Sequence, residues 1–190
     1  ALIGQSGHGK STLTASLAQH GLSLLSDDAL IVTPPPKATV KAVYPGLRLM
    51  PDSLQALYPD TVTTTPMAEY SPKRRLPVDA TGDPGAHPLR LMIFLDPPNA
   101  EEKIALRPMS QAEACMGLIA NSFALDPTDR PRAARRLAQA SALAAAVPAF
   151  ALSYPRRYEC LPAVTETILQ TLDTVSTAQP REAATMATDP

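Results

Sequence analysis

Apolar positions along this chain fall into short strand-length runs and into stretches spaced for helices. Leu13, Leu17 and Ala18 share one face of a helix over Ser11–His20, and Gly21 stands where a C-terminal glycine ends such a helix. Leu22-Ser23-Leu24-Leu25 reads as a short apolar strand ending at Asp27-Asp28. Ala29–Thr33 is a strand stopped by Pro34-Pro35-Pro36, and Thr39–Tyr44 alternates enough to pair with it as a hairpin. Ser53–Leu57 predicts one or two helical turns. Residues 58–88, rich in Pro, Thr, Asp and Gly, predict a functional loop region with short strands. Leu89–Leu95, between Pro88 and Pro97, is a strand, and Ile104–Leu106 is another. Ser110-Gln-Ala-Glu113 forms a capping box that opens a helix through about Phe123. A second helix starts near Pro131 and runs to about Ala146. Ala149–Ser153 then predicts a strand and Pro162–Leu172 a last helix, and the small polar residues from Ser176 onward predict a disordered tail. Strands first, hairpins in the middle and helices late predict an α/β fold with a mixed sheet.

Composition narrows the class. The 190 residues suit one domain, over 1–175, with 176–190 as the tail. A hydrophobic share of 45% with 18% charged residues is that of a globular protein. A net charge of −1 gives no electrostatic reason to expect nucleic acid or an anionic membrane as partner. No apolar run approaches a membrane span, and no signal-peptide pattern is visible. Cys115 and Cys160, with no close spacing, fit buried roles in a reducing cytoplasm, and His8, His20 and His87 are too scattered to bind metal together.

Residues 4–11, Gly4-Gln5-Ser6-Gly7-His8-Gly9-Lys10-Ser11, fit G-x-x-x-x-G-K-S, the phosphate-binding P-loop. Glycines let successive backbone N–H groups turn toward phosphate oxygens, and the helix that follows adds its positive N-terminal end. Gly4, Ser6, Gly7, His8, Gly9, Lys10, Ser11 and Thr12 are therefore the expected nucleotide cradle. Lys10 is expected on the β/γ-phosphates and the Ser11 hydroxyl on Mg²⁺. A P-loop normally follows a full buried strand, so the reading expects further native residues ahead of Ala1-Leu2-Ile3. Adjacent carboxylates such as Asp27-Asp28 are costly without a cation, which a nucleotide-bound Mg²⁺ supplies. One of the pair is expected to support the metal and the other to accept a proton from an attacking hydroxyl. A solvated turn is the plainer alternative for them. Asp79-Ala-Thr-Gly82 fits D-x-x-G by two residues alone and reads as a turn.

The P-loop, its helix and the following Gly21-Leu-Ser-Leu-Leu-Ser-Asp-Asp together resemble the catalytic domain of the HPr kinase/phosphorylase family. The likeness is greatest to single-domain HPr-kinase-like proteins, including those of lasso-peptide biosynthesis clusters. A softer likeness, through Tyr44-Pro-Gly-Leu-Arg48-Leu-Met-Pro-Asp, Lys73-Arg74-Arg75-Leu-Pro-Val and Pro88-Leu-Arg-Leu-Met-Ile-Phe-Leu, extends it over residues 2–172. The resemblance implies a P-loop kinase domain related to the phosphoenolpyruvate carboxykinases. It also implies an ATP- and Mg²⁺-dependent kinase acting on a serine hydroxyl of a peptide or small protein, such as a lasso precursor. Carried over by position, Asp27 is the favoured base and Asp28 supports the metal with Ser11. The Glu-x-Arg-Gly-x-Gly stretch of bifunctional members has no counterpart here, so neither phosphorylase activity nor HPr as substrate carries over. Arg48, Arg74 and Arg75 are candidates to stabilise transferred phosphate, and Lys73 is read as a surface residue. Two alternatives stand beside this. Arg130, Arg132, Arg135 and Arg136 on one predicted helix resemble the lid of a metabolite kinase, and a nucleotide-binding regulator without catalysis needs only the P-loop. Oligomeric state stays open, with a homo-oligomer among the possibilities.

Overall fold

A computed structural model describes residues 1–44, 46–59, 63–76, 85–98, 103–124, 126 and 128–178. Among them the chain is mixed α/β, with five α-helices and three sheets. The central sheet runs in the order β1 (Leu2–Ile3), β8 (Met92–Leu95), β10 (Ala149–Ser153), β9 (Ala105–Pro108). β1, β8 and β10 are mutually parallel and β9 is antiparallel to β10, so the sheet is mixed. Two three-stranded antiparallel sheets flank it. One is β2 (Leu30–Thr33), β3 (Thr39–Ala42) and β7 (His87–Pro88), and the other is β4 (Leu47–Leu49), β6 (Ser71–Leu76) and β5 (Thr65–Ala68).

Period-two side-chain alternation in β8 explains the layering. Ile93 and Leu95 face one way, onto Leu13 and Leu17 of α1 (Lys10–Gln19) and Val164 and Ile168 of α5 (Leu161–Ala178). Met92 and Phe94 face the other way, onto Ala114 of α3 (Gln111–Asn121) and Leu143 of α4 (Arg130–Ala146). A strand buried on both faces reads as a continuous apolar run rather than an alternating one, as Leu91–Leu95 does. A third cluster, around Ala15, Leu47, Leu49 and Leu76, seats the β4 sheet against α1.

The local signals mostly act as their chemistry dictates. Ser110 accepts from the Glu113 N–H while the Glu113 carboxylate accepts from the Ser110 N–H, completing the capping box of α3. Asp129 caps α4 by accepting from the Arg132 N–H. Gly21 and Leu22 close α1 by donating to the carbonyls of Ala18 and Leu17. α2 (Pro51–Leu57) begins slightly earlier than its apolar pattern predicts, with proline in its first turn.

Three expectations need correction. Leu22–Leu25 joins no sheet; Leu22, Leu24 and Leu25 each pack against a different core cluster, so their apolar character serves side-chain packing and not strand pairing. The Leu89–Leu95 strand divides, because His87–Pro88 pairs with β3 and the Leu89 N–H bonds Ala38, leaving Met92–Leu95 to the central sheet. Ser176–Ala178, assigned to the tail, continues α5, while residues 179–190 lie outside the described residues, as does Asp79–Gly82.

Candidate functional site

The glycine loop leaves the C-terminal end of β1, and in open parallel sheets ligands bind outside the carboxyl ends of the strands. Gly7 at φ 83 and Gly9 at φ 82 take left-handed backbone that other residues avoid. Gly9 is also the N-cap of α1 and offers no side-chain acceptor, so the first N–H groups of the helix stay open toward the loop. The Lys10 ammonium folds back and donates to the carbonyls of Gly4 at 2.7 Å and Gln5 at 2.8 Å. His8 is directed elsewhere. Its Nδ1 bonds the Leu95 carbonyl at 3.0 Å, pinning the loop to the end of β8. Thr12 shares a hydroxyl hydrogen bond of 3.0 Å with the buried Ser53 of α2.

The twin acids come to this loop. Burial lowers the Lys10 pKa from its ordinary lysine value, the charges of Asp27 and Asp28 raise it, and Lys73 lowers it further. Lys10, Asp27 and Asp28 together border a cavity of about 490 Å³ whose deeper walls are apolar, including Leu17, Leu22, Leu91 and Ile168. Asp27 Oδ2 accepts from the Arg48 backbone N–H at 3.0 Å. Asp27 Oδ1 is buried with no hydrogen-bond partner among the described residues. Asp28 pairs with the Arg48 guanidinium at 2.8 Å, its side chain 63% exposed against 22% for Arg48.

Of the candidate arginines, Arg48 alone is tied to the acids. β4 pairs with β6 so that Arg48 lies opposite Arg75 and Leu49 opposite Arg74. Arg74 donates to the Thr64 hydroxyl at 2.6 Å and its carbonyl at 3.1 Å, while Arg75 reaches the Met67 carbonyl at 3.4 Å; both tie the β5–β6 hairpin together. Lys73, read from sequence as a surface residue, is half-buried, and its charge acts on Lys10. Arg132, Arg135 and Arg136 of α4 border a separate cavity of about 370 Å³ with Phe123 and Asp126.

A group after β10 escaped the sequence reading. The Arg156 guanidinium stacks 3.9 Å from the Tyr154 ring centroid and donates to the Asp96 carbonyl at 2.6 Å. Its Nε and Nη1 are buried without partners among the described residues. A Cβ on Gly9 would lie 3.1 Å from the Tyr154 hydroxyl and 3.7 Å from Arg156 Nη1, so the loop packs directly on this turn. The signal was available: Tyr154-Pro-Arg-Arg follows a predicted strand, and strand ends of a parallel sheet are where ligand-facing residues gather.

The residues fit a triphosphate and Mg²⁺. The loop offers open N–H groups and an ammonium, and Asp27 Oδ1 is a buried acceptor without a donor. Among the described residues no group of three or more His, Cys, Asp or Glu is placed to hold a metal by itself. Comparison with protein-family models, with curated proteins and with solved structures finds no match.

Proposed function

We propose that this chain is an ATP- and Mg²⁺-dependent kinase of the HPr-kinase-like type, transferring phosphate to a serine hydroxyl on a peptide or small protein such as a lasso precursor. On this reading the central sheet and glycine loop form a P-loop kinase domain. The observation that carries it is the meeting of Lys10, folded over the glycine loop, with Asp27 and Asp28 on one cavity edge. A bare anion site needs no carboxylates beside its lysine, because they repel the ligand; a phosphotransferase needs them.

Lys10 and the open N–H groups at the start of α1 hold the β/γ-phosphates. Asp27, whose Oδ1 has no partner among the described residues, takes the serine proton as the serine oxygen bonds the γ-phosphorus and the bond from that phosphorus to the β,γ-bridging oxygen breaks, releasing ADP. Its fixed bond to the Arg48 N–H keeps the carboxylate oriented. Mg²⁺, when bound, neutralises charge on the phosphate oxygens. Ser11 and Asp28 are the residues that would hold it, and the Asp28 carboxylate, 63% exposed, is open to solvent beside its Arg48 partner.

Labelled-phosphate transfer from ATP to serine-bearing peptides tests this. Lys10→Ala is expected to lose both ATP binding and transfer. Asp27→Asn is expected to keep binding and lose roughly 10²–10⁴-fold in transfer rate, the usual worth of a general base. Undiminished transfer in both variants would overturn the assignment, and tight ATP binding without transfer to any acceptor would identify a nucleotide-binding regulator instead.

One observation favours a metabolite as acceptor. Arg132, Arg135 and Arg136 of α4 border one cavity together, the arrangement a lid helix would present. Labelling of small metabolites but not of peptides would select that reading.

A further inference from the structure

A third cavity, of about 250 Å³, is bordered by Gly7, Gly9 and Thr12 and by Arg156, Arg157 and Tyr158. That volume is below the range of a whole drug-sized ligand and suits one part of a nucleotide. Its wall carries planar groups, the Arg157 guanidinium and the Tyr158 ring, suited to lie against a base. It also carries an acceptor. The Asp52 carboxylate is exposed in the cavity wall, and its Oδ2 takes the Tyr158 hydroxyl hydrogen at 2.9 Å. A hydroxyl chain, Thr12 to Ser53 at 3.0 Å and Ser53 to Tyr158 at 3.2 Å, ties this wall to the first turn of α1. Arg156 borders both the cavity and the loop, half-buried and with no carboxylate paired to it among the described residues.

We propose that this cavity receives the nucleoside of the triphosphate whose phosphates lie on Gly4–Lys10, with the base against Arg157 and Tyr158 and an amino or hydroxyl hydrogen donated to Asp52. The inference rests on the phosphate-site reading above and adds where the rest of the donor goes. A carboxylate separates the two possible occupants. A phosphate is repelled by Asp52 and a nucleoside is bound by it.

Calorimetric titration with ATP and, separately, with inorganic tripolyphosphate tests this on the intact chain. Arg157→Ala is expected to weaken ATP about tenfold, the worth of one stacked base, with tripolyphosphate little changed. Asp52→Asn is expected to weaken ATP about fivefold through one lost charged hydrogen bond and to leave tripolyphosphate unchanged. Asn keeps an oxygen for the Tyr158 hydroxyl, and thermal melts check that both variants stay folded. Tighter binding of both ligands by Asp52→Asn, or equal weakening of both by Arg157→Ala, would make the cavity a phosphate site and overturn the proposal. ATP binding no tighter than tripolyphosphate to the unaltered chain would overturn it alone, whereas failure of both ligands to bind would overturn the phosphate cradle as well.

Discussion

In β8 every residue from Met92 to Leu95 is buried, whereas in β2 only Leu30 is half-covered and Ile31, Val32 and Thr33 stand exposed. Both strands are four apolar-rich residues long, so composition does not separate them. Position does. β8 lies between two parallel neighbours and two helical layers, and β2 is the outer strand of a flanking hairpin. The central sheet fixes where the glycine loop leaves β1 and where the Arg156 turn leaves β10. One flanking sheet contributes charge at that edge, Arg48 from β4 and Lys73 from β6. Scaffold and chemistry are thus divided between regions that share the same kind of strand.

Truncation should separate the two regions most widely. Leu152 of β10 is 0% exposed, inside the cluster shared with α1 and α5. Leu152→Ala is expected to cost about 2–5 kcal/mol, through lost apolar burial and the cavity left behind. Ile31 is 58% exposed, and Ile31→Ala is expected to stay within about 0.5 kcal/mol. Urea denaturation of both variants measures the contrast, and similar losses would show that the β2 hairpin is as integral as the central sheet.

The junction of loop and scaffold gives an intermediate effect. Gly7 and Gly9 have nearly the same left-handed φ, 83 and 82, but a Cβ on Gly7 meets nothing within 4 Å and one on Gly9 meets the Tyr154 hydroxyl at 3.1 Å. Gly7→Ala should therefore cost backbone strain alone, about 1–2 kcal/mol. Gly9→Ala should cost more and also weaken tripolyphosphate binding, because the loop must lift from the turn that supports it. Equal costs in the two variants would remove the Tyr154–Arg156 turn from the design of the site.

How much of this was legible follows the same division. The glycine loop is legible in residues 4–11 because the motif is local, and the α3 capping box and the helix starts are legible because their signals lie within a few residues of each other. Asp27 and Asp28 were named from a pattern, and their approach to Lys10 is a long-range result of packing. Leu22–Leu25 misled because an apolar run does not say whether it pairs with a strand or spreads over three core clusters. Lys73 and its neighbours could not be ranked, since strand alternation in β6 was unknown until its register with β4 assigned each residue a face. Arg156 has its place after a predicted strand as a signal, but its partners are set by packing. Its contacts are Tyr154, two residues away, and the Asp96 carbonyl, 60 residues distant.

The smallest effect belongs to the solvent side of the central region, where α3 begins. Glu113 accepts from the Ser110 backbone N–H at 2.7 Å and from its hydroxyl at 2.8 Å, and it pairs with Arg107 at 3.0 Å. The Ser110 bonds, backbone first, and then Arg107 hold its carboxyl near pH 2 instead of the ordinary 4.5. A pKa lowered by folding means that the unfolded chain takes up the proton first as pH falls. The contribution is therefore complete above pH 4.5 and disappears as pH falls toward 2. Glu113→Gln keeps a reach toward the Ser110 N–H without the charge. The difference in urea midpoint between it and the unaltered chain should grow from pH 2 to about pH 5 and stay level above that. Because the group is exposed, added salt should shrink its Arg107 component and leave the two Ser110 bonds. A difference that does not change with pH would mean the α3 cap does not depend on the ionised carboxylate.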